Sequence, residues 1–414
     1  MKACLIKLIK QNNLVVFLYI TTLAGTLLGV VASIINTRFL SPSNYGDVRY
    51  VQNIINLFAT LLLFGFFWSG SRMLALSKNE ERSRKIRGCL ILILVLASVV
   101  IILLTGICYF FHQTNPQLAI LFITTMPVCI YPLLNNYMNT VAQGDNHIIR
   151  LGLARILPYL LYISFAYLIY KNFGATSKLM ILLQWGAYSL VLLLIIISTK
   201  PNFRNIKPIF KELQQENRQY GIQLYIGSII MVATNYIAGI TLGIFSDNNV
   251  NVGFYTLALT VTSPLTMLPA IIGTTYFKKF ASQNRISPSV LKATILLTAI
   301  SCVGFIALIQ PLVIFLYTDT YSVVGDYASW MAIGFSLHGI GDMFNRYLGS
   351  HGKGRMIRNS SIFCGIFKII GFTLFVYLWD IYGAIVTNIL SSTIYALILI
   401  FYYHKFTREQ ESLL

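Results

Sequence analysis

TKPNFRNIKPIFKELQQENRQY, running from Thr199 to Tyr220, is the longest polar run in an otherwise oily chain. It carries Lys200, Arg204, Lys207, Lys211 and Arg218 against Glu212 and Glu216. Before it lie 198 residues and after it 194, each half holding apolar segments in the same order. The sequence reads as two copies of one membrane unit, 1–199 and 220–414, joined by a basic cytoplasmic connector, 200–219.

Composition supports a membrane setting. Of the 414 residues 56% are hydrophobic and only 11% are charged, against about 25% charged in soluble domains. So little charge cannot cover a water-soluble surface, and a polytopic membrane protein is the natural reading. Runs of spanning length fall near 14–36, 51–69, 89–111, 117–138, 151–170, 177–198, 221–245, 253–275, 291–317, 327–348, 359–379 and 382–403, twelve in all. Met1 to Asn13 is short and basic and the run after it is long enough to stay in the bilayer, so no cleavable signal peptide is expected.

The net charge of +18 could suggest nucleic acid, but its placement argues against that partner. Twenty-six of the 31 Lys and Arg fall in alternate connections and the two ends, four (Arg38, Arg49, Lys171 and Lys178) in the others, and Lys368 inside a span. That asymmetry is the positive-inside pattern and puts both termini in the cytoplasm. The outer connections are short. Trp68 and Trp379 sit at span ends, as interfacial aromatics do. Six cysteines without a C-x-x-C read as small apolar side chains rather than disulfides or a metal site.

The repeat is visible in residues. Ser43-Asn44-Tyr45-Gly46 after the first span matches Val250 to Tyr255 after the seventh, with Gly46 and Gly253 207 positions apart. Gln143 to Arg150 matches His351 to Arg358, with Gly144 and Gly352 208 apart. Phe173-Gly174-Ala175 matches Tyr382-Gly383-Ala384, with Gly174 and Gly383 209 apart. Six spans per copy make the copies parallel. The expected architecture is all-α: about twelve transmembrane helices in two parallel six-helix lobes that can rock for alternating access. Pro127, Pro132, Pro158, Pro264, Pro269 and Pro311 would bend helices around a cavity, although kinks are also common without any such role.

Arg38 to Gly46 (R-F-L-S-P-S-N-Y-G), Asn251 to Tyr255 (N-V-G-F-Y) and Tyr220-Gly221 at the start of the seventh span resemble the Wzx-type O-antigen flippases. These form part of the polysaccharide-transporter branch of the multidrug/oligosaccharidyl-lipid/polysaccharide (MATE-like) superfamily, and the resemblance covers nearly the whole chain. It implies a flippase for undecaprenyl-pyrophosphate-linked oligosaccharide, moved across the bacterial inner membrane before polymerisation into lipopolysaccharide. It also implies membrane lipid as surroundings and the pathway's polymerase and chain-length regulator as partners. Composition and spacing alone give a two-lobed transporter.

Ionisable residues inside spans are costly and therefore usually functional. Lys368 lies mid-run, too deep to snorkel, and should face a wet cavity where a diphosphate needs a point charge; the alternative is a lysine neutralised by burial or paired with an acid. Asp342 and Arg346 stand four apart and are expected to pair along one helical face, with His338 one turn earlier. The pair could lock the helix, or Arg346 could bind an anion and Asp342–His338 couple protons. Arg38, Arg72 and Arg155 near span ends are interfacial anchors or substrate-binding cations. Arg72 matches Lys279 at a separation of 207, a basic pair that could attract a diphosphate head at the inner surface. Asn235 and Gln184 could contact sugar hydroxyls or bridge helices.

No P-loop, G-x-S-x-G, metal-spaced His/Cys set or nucleotide fingerprint is present, so neither an enzyme, a cofactor nor a metal is expected. One alternative is a MATE-type cation or drug exporter of the same fold, which would want deep carboxylates; Asp342 is the one deep acid, against Lys368 and Arg346. Another is an O-antigen polymerase or ligase, for which the outer loops are too short.

Overall fold

The computed structural model describes residues 2–145 and 147–411, and the side chains of all these except 2–16, 19, 227, 228, 231–233, 278 and 411. Asn146 of the repeated connection, Cys4 and the side chains of the basic start therefore lie outside the described set. The described residues form helices and turns without a strand. In chain order the helices are α1 (Lys2–Phe39), α2 (Pro42–Leu61), α3 (Phe66–Leu76), α4 (Glu80–Phe111), α5 (Pro116–Thr125), α6 (Tyr131–Gly144), α7 (Ile148–Phe173), α8 (Ser177–Ser198), α9 (Lys207–Glu216) and α10 (Ile222–Phe245). Then follow α11 (Val250–Thr262), α12 (Met267–Thr275), the single turn α13 (Phe277–Phe280), α14 (Pro288–Tyr317), α15 (Val323–Ser350) and α16 (Gly354–Glu411). Two compact units divide between Ile229 and Ile230.

Local chemistry sets many of the helix starts. Ser41 accepts from the Asn44 N–H at 3.3 Å with Pro42 in the first turn. Asn115 accepts from Leu118 at 3.3 Å ahead of Pro116. Asn79 and Thr176 cap α4 and α8 at 2.8 and 3.2 Å. Each side chain satisfies an N–H left over at a helix start, and proline's missing N–H costs nothing there.

Seven helices among the described residues are long and apolar enough to cross a membrane, eight if the bent pair α2–α3 counts as one span. The twelve apolar runs all fall in helices, but not one to one. The fourth is split between α5 and α6 on either side of Met126 to Ile130, with Pro127 in the gap and Pro132 at the start of α6. The eighth is interrupted by a tight turn at Ser263–Thr266 around Pro264. The tenth, α15, carries Asp326, Asp342 and Arg346 and is more polar. The last two share α16, which breaks at Asp380 (φ 50°). Pro158 and Pro311 lie inside unbroken helices.

On α4 the two faces divide cleanly. Leu90, Leu94, Ala97, Ile101 and Thr105 are buried, whereas Val95, Leu96, Val99, Leu103 and Phe110 are exposed. An apolar stripe at helical spacing left uncovered on a long helix is what acyl chains cover. The five described cysteines are free and, apart from half-buried Cys302, buried.

The connector is docked rather than loose. Helix α9 buries Ile209 and Leu213 in the first unit, and Glu216 and Glu212 pair with Arg72 at 2.5 Å and Arg82 at 2.8 Å. Just beyond, Asn217 donates to the Phe64 carbonyl at 2.9 Å and accepts from Ser69 Oγ at 3.1 Å. Those bonds sit at the 57° break between α2 and α3. Gly65 there has φ +83°, and a Cβ on it would overlap the Gly221 backbone.

Candidate functional site

Each unit contains a polar cavity of its own. In the second unit a cavity of about 290 Å³ is lined by Thr234 and Asn235 of α10, Tyr255 of α11, His338 of α15, and Lys368 and Asn388 of α16, among others. Lys368 is half-buried and also faces a small adjoining space beside His338, Cys364 and Tyr395. No carboxylate lines the cavity among the described residues. An ammonium in a polar, partly enclosed space without a counter-ion has three donors to offer an anion.

Behind Lys368 the arrangement departs from the sequence expectation. Asp342 and Arg346 do not pair. Asp342 Oδ1 accepts from the Tyr395 hydroxyl at 3.0 Å, and Asn345 Nδ2 donates to the same hydroxyl at 2.7 Å. Tyr395 stacks on His338, with centroids 4.5 Å apart and planes at 17°. Arg346 is exposed, and its stem lies against Gly273 of α12, where a Cβ would come within 3.1 Å of Arg346 Cγ. The i,i+4 spacing permits a pair, but a buried tyrosine on the neighbouring helix gives Asp342 a partner at less entropic cost than a long, exposed arginine.

In the first unit a cavity of about 330 Å³ is lined by Thr22, Tyr131, Asn135, Asn139, Arg155 and Tyr159, among others. Half-buried Arg155 donates through Nη1 to Thr22 Oγ1, so it serves as a cavity cation held by α1. Thus Arg155 is in the first cavity, while Lys368, His338 and Asn235 share the second. The others are elsewhere. Arg72 pairs with Glu216 and lies 4.9 Å from the Tyr220 ring. Exposed Lys279 rests 5.7 Å from the Tyr276 ring. Arg38 is exposed in the last turn of α1. Gln184 is not available to a sugar: it is 5% exposed, accepts from Gln52 Nε2 at 3.1 Å and donates to Tyr188 at 3.4 Å. A buried amide takes whatever hydrogen-bond partners a neighbouring helix supplies.

Two arginines that the sequence placed in connections are structural groups of the first unit. Arg49 lies within α2, donates to Gln52 Oε1 at 2.7 Å and covers the Tyr45 ring at 4.8 Å. The Y-x-x-x-R-x-x-Q spacing from Tyr45 was the available signal. Arg87, 2% exposed, grips both Asp145 oxygens at 2.7 Å and also donates at 2.9 Å to Glu80 and the Thr199 carbonyl. It thereby ties the start of α4, the α6–α7 turn and the end of α8. Burial pushes the adjoining His147 imidazole below its ordinary range despite the Asp145 carboxylate 3.2 Å away.

No curated protein matches the chain by sequence at a significant level. Among solved structures, the lipid II flippase MurJ in an inward closed conformation superposes with a TM-score of 0.74 at 16% identity, covering 95% of this chain and 90% of that one. A multidrug-resistance MATE transporter of the MOP superfamily superposes with TM-scores of 0.67 facing inward, at 15% identity over 93% of this chain and 96% of that one, and 0.63 facing outward, at 16% identity over 96% of each. The all-α fold is therefore that of MurJ and the MATE transporters. The family model described as polysaccharide biosynthesis protein matches residues 12–277, more than half of the sequence, and the chain belongs to that family.

Proposed function

We propose that the protein is a flippase for undecaprenyl-pyrophosphate-linked oligosaccharide, an O-antigen or related surface-polysaccharide repeat unit, moved across the bacterial cytoplasmic membrane by alternating access. The observation that carries this reading is Lys368: a cation without a paired acid, facing a polar cavity that no carboxylate lines among the described residues. A doubly anionic diphosphate suits that charge, whereas the organic cation of a drug exporter would be repelled. Asn235 beside it, exposed, offers an amide that can share the phosphate oxygens. The isoprenoid tail stays in lipid, and a polymerase with its chain-length regulator consumes the product. Family membership in polysaccharide biosynthesis and the MurJ-like fold support the same reading.

Lys368→Ala tests it. The variant should insert and accumulate normally yet lose flipping, so that lipid-linked oligosaccharide builds up on the cytoplasmic leaflet of a strain relying on it. Full surface-polysaccharide synthesis by that strain would refute the assignment.

A further inference from the structure

The two cavities share one lining position of the repeat, Tyr131 in the first and His338 in the second, and the residues around that position have diverged chemically. Three residues on one face of α6, Tyr131, Asn135 and Asn139, stand 207 positions before His338, Asp342 and Arg346 of α15. Tyr188 of α8 stands 207 before Tyr395 of α16. Each member of the second pair packs its ring against the first residue of its own triplet: Tyr188 on Tyr131 at 5.1 Å, Tyr395 on His338 at 4.5 Å. So the same frame carries amides and phenols in the first unit and ionisable groups in the second.

The first-unit frame is a rigid aromatic platform. Tyr188, 3% exposed, braces half-buried Tyr131 at 5.1 Å and half-buried Tyr159 at 5.0 Å. Both braced rings line the cavity. Beside them Asn139 Nδ2 donates to Asn135 Oδ1 at 3.1 Å. Two amides sharing one bond still hold donors and acceptors for a ligand. No acid lines the cavity among the described residues, and its cation, Arg155, gives one of its five donors to Thr22 and keeps the others for further hydroxyls. Aromatic faces flanked by spare amides suit a ring with an apolar C–H face and a rim of neutral hydroxyls. That is a pyranose. Its C–H bonds lie against the negative face of the aromatic ring, and its hydroxyls meet the amides.

We infer that the cavity of the first unit is a carbohydrate subsite that seats a neutral pyranose of the cargo on Tyr131 and Tyr159, with Asn135 and Asn139 bonding its hydroxyls. The inference rests on the flippase reading above and divides the labour: Lys368 takes the anion, and the tyrosine–amide face takes a sugar. Tyr131 and Tyr159 are then determinants of which repeat unit is accepted.

The test uses full-length protein in nanodiscs, with methyl glycosides of glucose, galactose, rhamnose, N-acetylglucosamine and N-acetylgalactosamine at millimolar concentration. Saturation transfer from protein to sugar protons is measured alongside the phosphorus linewidth of added inorganic pyrophosphate. At least one glycoside should receive saturation, strongest on one ring face. Tyr131→Ala should cut that transfer by tenfold or more, Asn135→Ala should weaken it severalfold, and Tyr131→Phe, which keeps the ring, should retain most of it. Pyrophosphate broadening should survive all three substitutions and disappear in Lys368→Ala. If no glycoside receives saturation, or Tyr131→Ala leaves transfer unchanged in protein that matches the parent in melting temperature, the subsite is refuted. Sugar transfer that persists while pyrophosphate ignores Lys368 refutes the anion reading instead and leaves the sugar site standing.

Discussion

At the scale of single residues, the surroundings of a charge decide its role. Arg82 and Arg87 are five apart on one helix, yet the Arg82 side chain is 50% exposed and the Arg87 side chain 3%. The Arg82–Glu212 pair is screened by water and should contribute at most about 1 kcal/mol. Arg87→Ala would take both guanidinium bonds from the Asp145 carboxylate, 7% exposed, leaving it the His147 imidazole at 3.2 Å, and should cost up to roughly 3–5 kcal/mol, as removing one partner of a buried pair does. Thermal unfolding in detergent should therefore show a marked drop in Tm for Arg87→Ala and almost none for Arg82→Ala; equal drops would contradict the ranking. Lys368 was legible from depth alone, because a lysine in the middle of an apolar run has few explanations. Arg49 and Arg87 were not, since a position near a span end reads as an anchor until burial is known.

Among the elements, sequence and structure agree best where periodicity is long and uninterrupted. α4, α7, α8 and α14 could be drawn from apolar runs alone. The breaks were only half visible. Pro127 and Pro264 do mark interrupted helices, whereas Pro158 and Pro311 are absorbed within continuous ones. The 57° bend at Phe64–Gly65 has no proline, and it is met by a contact from Asn217 and Gly221 some 150 residues later. Local pattern cannot report a partner that distant. Gly65→Ala should thus be harmful twice, through the +83° φ and through collision with Gly221. Gly174→Ala, at φ +78° with nothing within 4 Å of its Cβ, meets only the conformational penalty, roughly 1–3 kcal/mol. Tm and folded yield should fall further for Gly65→Ala; the reverse order would show that the docked connector does not hold the bend.

For the whole molecule, three glycine-marked loops point to a duplication, and the all-α transporter fold expected from it is the fold found. What the repeat hid was its own divergence. Asp342 and Arg346 read as a pair from their i,i+4 spacing, whereas the partner that takes Asp342 is Tyr395, 53 residues further on. Orientation rests on charge count: 26 of 31 Lys and Arg in the connections and ends placed inside. A green fluorescent protein fused after Leu414 should fluoresce, and alkaline phosphatase there should be inactive, whereas phosphatase inserted at the Phe173–Gly174 turn should be active. An active phosphatase at the C-terminus would invert the orientation.

The 207-residue correspondence between Tyr131, Asn135, Asn139 and His338, Asp342, Arg346 also has a consequence for how such a protein can change. Because both sets belong to one gene, either can drift while the other is held fixed. On the proposed reading, a change in the accepted repeat unit would need edits only to the amide-bearing set of the first unit, while Lys368 in the second unit stays as it is. The same separation gives an engineer a handle: retargeting should begin at 131, 135 and 139, with 368 and its neighbours left alone.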